Sequence, residues 1–301
     1  MSIGERGHAV RVNFSSLYTR GLAISIILIL GFSPSSATEV SSINAIPVSK
    51  LKLGGTLFLP ISEEPAQFNP LHADGNDEEL NRMMSASLPF MMNSDSQGKL
   101  SVNKNYISSF TQTKSSPQTL RIVLNPKAIW SDGKKIGLTD FTGMWRALNG
   151  KNPNFEIVSS AGYENIKSIS SGKNANEIII VMAKPYSDWQ ELFSPLLPTA
   201  LSKDPSTFNG TWRAKPLLSA GPFIFDSINR EQGSINWTRN PKWWGAKPIL
   251  DSITYRILPR ESQLAALNGD EISFLDVTEN ASIIRSARAN PKFSIHAVPS
   301  P

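Results

Sequence analysis

Two short stretches carry the clearest alternation of apolar and polar positions. TLRIVLN (119–125) alternates with period two, and EIIIVMA (177–183) is a nearly continuous apolar run. The first pattern predicts a half-buried strand and the second a strand covered on both faces. GGTLFLPI (54–61) and LDSITYRIL (250–258) read as strands as well, and GPFIFDSI (221–228) with GSINWTRN (233–240) as a hairpin. Helical spacing appears between them. The stretch 68–92 turns at Asn69-Pro70 and Asp74-Gly75 and then enters a helix, with Asp77, Glu78 and Glu79 suited to its first turn. LTDFTGMWRALNG (138–150) places Phe141, Trp145 and Leu148 on one face, with Thr139 as the expected cap and Gly150 as the expected stop. SDWQELFSPLLP (187–198) is expected to be helical up to Pro198, and ESQLAALNGD (261–270) helical up to Asn268-Gly269. Asp132-Gly133 marks a tight turn. Strands and helices interleave, which predicts a mixed α/β fold.

The N-terminus differs from the rest. Arg6, Arg11 and Arg20 precede an apolar run at 21–32, followed by small residues. This is the layout of a secretory signal over residues 1–37, with Ser35 and Ala37 placed for cleavage before Thr38. Twelve apolar residues fall short of the ~20 that span a bilayer; an uncleaved anchor is the alternative. Residues 38–52 read as a polar linker. The whole chain of 301 residues carries +5, but residues 1–37 contribute three arginines against Glu5. The remainder holds 27 basic and 24 acidic residues, a net of +3. That charge, with no basic run, excludes a nucleic-acid footprint. Cysteine is absent, so disulfides, thiol nucleophiles and lipid attachment through a cysteine are excluded.

The search for chemistry is negative. Downstream of the signal only His72 and His296 remain, and no nucleophile elbow, zinc-protease or phosphate-loop motif occurs. Ser101 with Lys104 and Ser170 with Lys173 match S-x-x-K in polar, turn-rich sequence, which leaves a serine acyltransferase as the alternative of a different class. DGNDEE (74–79) lacks the glycine and the bidentate glutamate of a calcium loop. No catalytic residue, metal site or cofactor is assigned.

Several segments, in order, resemble the extracytoplasmic solute-binding proteins of family 5, which serve ATP-driven importers of peptides and nickel. They are GGTLFLPISEEPAQFNPLHADGN, TLRIVLNPKAIWSDGKKIGLTDF, IIIVMAKPYSDW, SAGPFIFDSI, WTRNPKWWGAKPILDSITYRILP and LAALNGDEISFLDV. WSDGKK…TDF and RNPKWWG are the most specific. The resemblance implies a periplasmic-binding-protein-like, class II fold, non-catalytic capture of a peptide, and delivery to a membrane permease; nickel or haem is the related alternative. It implies an extracytoplasmic location, although no cysteine is present to carry the lipid common in this family. Trp243 and Trp244 are then expected to pack on the lobe after the Asn240-Pro241 turn, rather than to stack on a ligand.

The resemblance also implies a layout. Residues 53–75 and 200–277 form the core of a first lobe, 76–199 a subdomain inserted into it, and 278–301 the start of a crossover. The second lobe is expected to be missing, with a separately encoded second lobe as a candidate partner, so that this chain alone is expected to bind weakly. The ligand face is expected at Asn69, His72, Ala73, Asp74, Gly75 and Asn76, whose turns would leave backbone groups free for a peptide. Ser219, Ala220 and Gly221 are the second candidate, as a cleft floor.

Overall fold

The computed structural model describes residues 46–95, 98–277, 281–293 and 295. The signal at 1–37, the first part of the linker and His296 lie outside the described residues.

Two four-stranded sheets organise the fold. The first is mixed and joins strands far apart in sequence. β1 (Thr56–Ile61) runs parallel to a strand near the C-terminus, Ser252–Ile257, with Thr56 opposite Ser252 and Ile61 opposite Ile257. Between them in the chain come α1 (Glu78–Ser85) and the ribbon of β2 (Met92–Ser94) with β3 (Leu100–Val102). The second sheet follows: β4 (Ile107–Ser115), β5 (Gln118–Leu124), α2 (Leu138–Leu148), β6 (Ile166–Ser171) and β7 (Glu177–Met182). Its order is β4-β5-β7-β6, antiparallel throughout. The chain continues through α3 (Thr199–Ser202) and α4 (Pro205–Gly210) to the hairpin β8 (Phe223–Asn229) and β9 (Ser234–Arg239). The strand at 252–257 is β10, and α5 (Arg260–Asn268) and α6 (Ala281–Ala289) come last. The first sheet has the order β1-β10-β9-β8.

The patterns read from sequence account for most of this. In β5 and β7 the apolar positions meet across the sheet, Leu120 opposite Ile180 and Ile122 opposite Ile178, and all four are fully buried. Asp77 caps α1 by accepting from the Leu80 N–H. The Asp132-Gly133 turn forms, with Gly133 at φ +93°, a conformation open to glycine. At the outer edge, β1 is met by the chain after α5. The Phe58 N–H donates to Ser273 Oγ and the Ser273 N–H donates to the Phe58 carbonyl.

Two expectations are corrected. Thr139 does not cap α2; it lies exposed inside the first turn. The cap is Gly137, whose N–H is held by the Asp140 carboxylate. Residues 187–198 do not form a helix: one 3-10 turn (Trp189–Glu191) is followed by irregular chain. Pro195 has no N–H to give a helix and drives Ser194 out of helical geometry. Phe193 has φ +61°. The apolar spacing that suggested a helix instead fills the core, with Leu192, Phe193, Leu196 and Leu197 all buried. Pro198 precedes α3 rather than ending a helix.

Asp140 ties several segments together. It is 4% exposed. Its Oδ1 accepts from the Thr199 N–H and hydroxyl, both at 2.8 Å, and its Oδ2 accepts from Trp130 Nε1 at 3.2 Å and the Gly137 N–H at 3.0 Å. One carboxylate therefore joins the turn before α2, α2 itself and the start of α3.

Asp140→Ala leaves buried donors unmatched and is expected to lower stability by about 3–5 kcal/mol. Thr139→Ala is expected to change it by less than about 0.5 kcal/mol; denaturant unfolding of both variants checks this. Burial pushes the Tyr106, Tyr163 and Tyr255 phenols up from their ordinary value. The folded state thus keeps protons that the unfolded chain releases near pH ~10, so stability is full below that pH and falls above it. The expected loss is about 1.4 kcal/mol per pH unit for each tyrosine, read from unfolding midpoints across the alkaline range.

Candidate functional site

Beyond the carboxyl end of β1 the chain dives into the protein before it surfaces. Gln67, Phe68 and Asn69 are fully buried. Gln67 Nε2 donates to the Asn209 carbonyl, the Phe68 N–H to the Trp212 carbonyl, and Asn69 Nδ2 to the Phe208 carbonyl. The segment is thus fastened to α4 and the residues after it. His72 follows, also fully buried, its ring 6.1 Å from that of Phe208. Its Nδ1 accepts from the Asp74 N–H at 3.0 Å, which puts the ring proton on Nε2. Nε2 lies 3.0 Å from Glu156 Oε2 but off the axis of a hydrogen bond, which leaves it without a hydrogen-bond partner. Backbone bonds complete the join: the Ala73 N–H donates to the Glu156 carbonyl and the Val158 N–H to the Leu71 carbonyl. On the outside, Arg213 Nη2 lies 3.1 Å from Asp74 Oδ2 and 4.0 Å from Glu156 Oε2.

The candidate loop is therefore split between interior and surface. Asn69, His72 and Gly75 are buried, while Ala73, Asp74 and Asn76 are exposed. The expectation that its backbone donors are free is corrected. The N–H groups of Asn69, Leu71, His72, Ala73, Asp74 and Gly75 are all bound within the protein. The reason is local: Asx-type side chains and the His72 ring close turns on the backbone ahead of them. Beside the loop, Gln67, Asp74, Asp77 and Glu79 line a cavity of about 80 Å³ with Ile61 and Met83. The cavity lies at the carboxyl end of the parallel pair, where open α/β sheets place their ligands.

His72, Asp74 and Glu156 are close enough together to share a metal ion. The surrounding bonds oppose it. A metal on Nε2 would need that nitrogen deprotonated, and Nδ1 would then carry a proton facing the Asp74 N–H. Arg213 already supplies positive charge to both carboxylates. The trio works as a fastener between the loop and residues 156–158. Sequence alone had no signal for Glu156 or Arg213, which lie 84 and 141 residues beyond His72.

Ser219, Ala220 and Gly221 lie elsewhere, at the opposite end of the sheet. α1, roughly 12 Å long, runs between the two places: Leu80 lines the cavity, and Ala86 and Ser87 follow its C-terminus. The Ala220 and Gly221 N–H groups donate to the Ser87 carbonyl and the Phe223 N–H to the Ala86 carbonyl. A side chain at Gly221 would place its Cβ 2.3 Å from the Ala86 carbonyl oxygen, so only glycine fits. Ser131 and Ser219 exchange two hydrogen bonds, the Lys242 ammonium donates to the Ser131 carbonyl, and Asn240 Nδ2 donates to the Gly221 carbonyl. The turn after Trp130, the 219–223 segment and the Asn240-Pro241 turn thus form one knot. Trp243 and Trp244 pack 4.6 Å apart, each against Tyr106, with their indole N–H groups bound to the Ala246 and Asn105 carbonyls. They pack as the sequence led us to expect. Ser101 and Ser170 sit exposed in β3 and β6, far from the helix start an acyltransferase serine needs.

The family model described as bacterial extracellular solute-binding proteins, family 5 middle, matches residues 101–301. The chain is 37% identical over 264 residues to the oligopeptide-binding protein OppA of Mycobacterium tuberculosis, covering 87% of this chain and 44% of that protein. Among solved structures, the periplasmic EDTA-binding protein EppA is similar with a TM-score of 0.73 and 25% identity, over 79% of this chain and 46% of that one. The oligopeptide-binding protein AppA of Bacillus subtilis, in complex with a nonapeptide, has a TM-score of 0.67 at 19% identity, over 78% and 46%. The chain thus spans under half the length of the relatives it matches.

His72→Ala removes the fastener. Hydrogen exchange at the Leu71–Gly75 amides is expected to quicken by about 30-fold, the equivalent of about 2 kcal/mol of local opening, while β5 and β7 amides keep their protection. Arg213→Ala breaks exposed pairs only and is expected to change these rates less than about fivefold.

Proposed function

Because the chain belongs to the bacterial extracellular solute-binding proteins of family 5, we propose that it captures peptides outside the cytoplasm and presents them to the permease of an ATP-driven importer, without altering them. The observation that carries this reading is the 37% identity to an oligopeptide-binding protein along 87% of the chain. The fold agrees with it: this is a mixed α/β, periplasmic-binding-protein-like structure. Residues 1–37 belong to the proposal as the export signal. Residues 53–75 and 200–277, which supply the first sheet, are its proposed lobe core, and 76–199, which supply the second sheet, the inserted subdomain.

Ligand contact is assigned to Ala73, Asp74 and Asn76, the exposed part of the loop. Asn69, His72 and Gly75 hold that part in place. Ser219, Ala220 and Gly221 take a supporting role, since the bonds described above occupy their polar groups. Asp74 beside Arg213 offers one charge of each sign, suited to the ammonium and carboxylate of a peptide. A loop already bonded internally gives up little entropy on binding. A nickel or chelate reading has weaker support here, because His72 is fully buried with Nδ1 committed to the Asp74 N–H, and Arg213 already pairs with both carboxylates.

These groups are proposed as one side of the site; the chain spans 44% of the length of the peptide-binding relative. A complete site with Kd of about 1 μM corresponds to about −8.2 kcal/mol. Half of the contacts leave about −4 kcal/mol, or roughly millimolar affinity, before the full cost of association is met. A peptide pool titrated into the chain is expected to shift the Ala73–Asn76 amide resonances with a dissociation constant near millimolar. Shifts confined to other regions would remove the loop assignment. Low-micromolar binding in calorimetry would show that this chain holds the whole site.

A further inference from the structure

The end of the first sheet opposite the candidate site carries an apolar, basic face that peptide capture does not use. Four large apolar side chains stand in water within eight residues: Ile46 is 61% exposed, Val48 72%, Leu51 41% and Leu53 81%. Leu51 and Lys52 form one wall of an open groove of about 600 Å³, whose other walls include Phe223, Trp243, Pro248, Ile249 and Leu250. The two walls are tied together where the Gly54 N–H donates to the Ile249 carbonyl and the Asp251 N–H to the Gly55 carbonyl.

The charge on this face has one sign. Lys50, Lys52 and Lys247 are exposed, and among the described residues no carboxylate pairs with any of them. Residues 46–55 contain no acid. The nearby Asp251 is engaged by Arg239 at 2.7 Å and by the Gly55 N–H. Exposed aliphatic side chains, a half-buried tryptophan and unpaired lysines together are the chemistry of an interface with anionic lipid.

We propose that this face rests on an anionic lipid surface, with Val48, Leu51 and Leu53 entering the headgroup layer and Lys50, Lys52 and Lys247 pairing with lipid phosphates. The candidate peptide loop, at the other end of the sheet, then points away from the bilayer. The proposal does not depend on the peptide reading.

The test is co-sedimentation of the full chain with phosphatidylcholine vesicles, with and without an equal part of phosphatidylglycerol. Partition is expected to be stronger on the anionic vesicles. Lys50→Glu/Lys52→Glu/Lys247→Glu is expected to weaken it there by roughly 100-fold, about fivefold per lysine. Val48→Ser/Leu53→Ser weakens binding to both vesicles. Quenching of tryptophan fluorescence by brominated lipid falls in Trp243→Phe. The charge and serine substitutions are all exposed, so the variants melt with the parent protein, and all share residues 1–45, so that segment cancels. Equal partition of the parent and the triple lysine variant overturns the proposal. So does vesicle-free dimerisation abolished by Leu53→Ser, which assigns the face to a second copy of the chain.

Discussion

A buried carboxylate without a countercharge has to be solvated by the protein itself, and Asp140 is solvated by four hydrogen-bond donors from three separate segments. Charge-assisted bonds of this kind offset the cost of taking an ion out of water only when every partner is in place. That requirement fixes the Trp130 indole, the entry into α2 and the start of α3 relative to one another. The constraint then passes outward. Ser131, next to Trp130, exchanges bonds with Ser219, and Ser219 donates to the Ser87 or Phe223 carbonyl. Ser87 follows the C-cap of α1, and Phe223 opens β8. A single ionised group in the second sheet's neighbourhood thus sets where the first sheet's hairpin begins.

The same network explains why the sequence could be read so far and no further. Within WSDGKK…TDF and RNPKWWG, Trp130, Asp140 and Asn240 bond to one another's surroundings and so specify architecture. Periodicity found β5, β7, the β8–β9 hairpin and α5, where burial alternates with local geometry. It failed at 187–198, where apolar side chains are spaced as in a helix but fill the core from an irregular path set by Phe193 and Pro195. It failed again at Thr139, since a propensity for capping says nothing about a carboxylate three residues past the glycine. In the candidate loop, the turn residues were visible but their partners were not. Glu156 and Arg213 reach His72 and Asp74 only through the folded chain, and a loop expected to offer free backbone donors has its N–H groups from Asn69 to Gly75 taken by the protein.

The two ends of the first sheet differ in character. At the carboxyl end of β1, acidic and amide side chains surround a small cavity, and the exposed residues sit on a buried, cross-linked base. At the other end, glycine and asparagine close a knot of backbone bonds, and outside it lies an apolar surface with lysines. Parallel pairing of β1 with β10 creates this polarity, because both strands then deliver their following segments to one side and receive their preceding segments on the other.

The bonds between Phe58 and Ser273 bear on how the molecule behaves in crowded solution. β1 is an outermost strand, and a bare strand edge is a template on which any extended chain can assemble. A serine hydroxyl and amide occupy the donor and acceptor at its middle. The free edge of β1 is left in shorter pieces, which weakens it as a template for pairing with an extended chain.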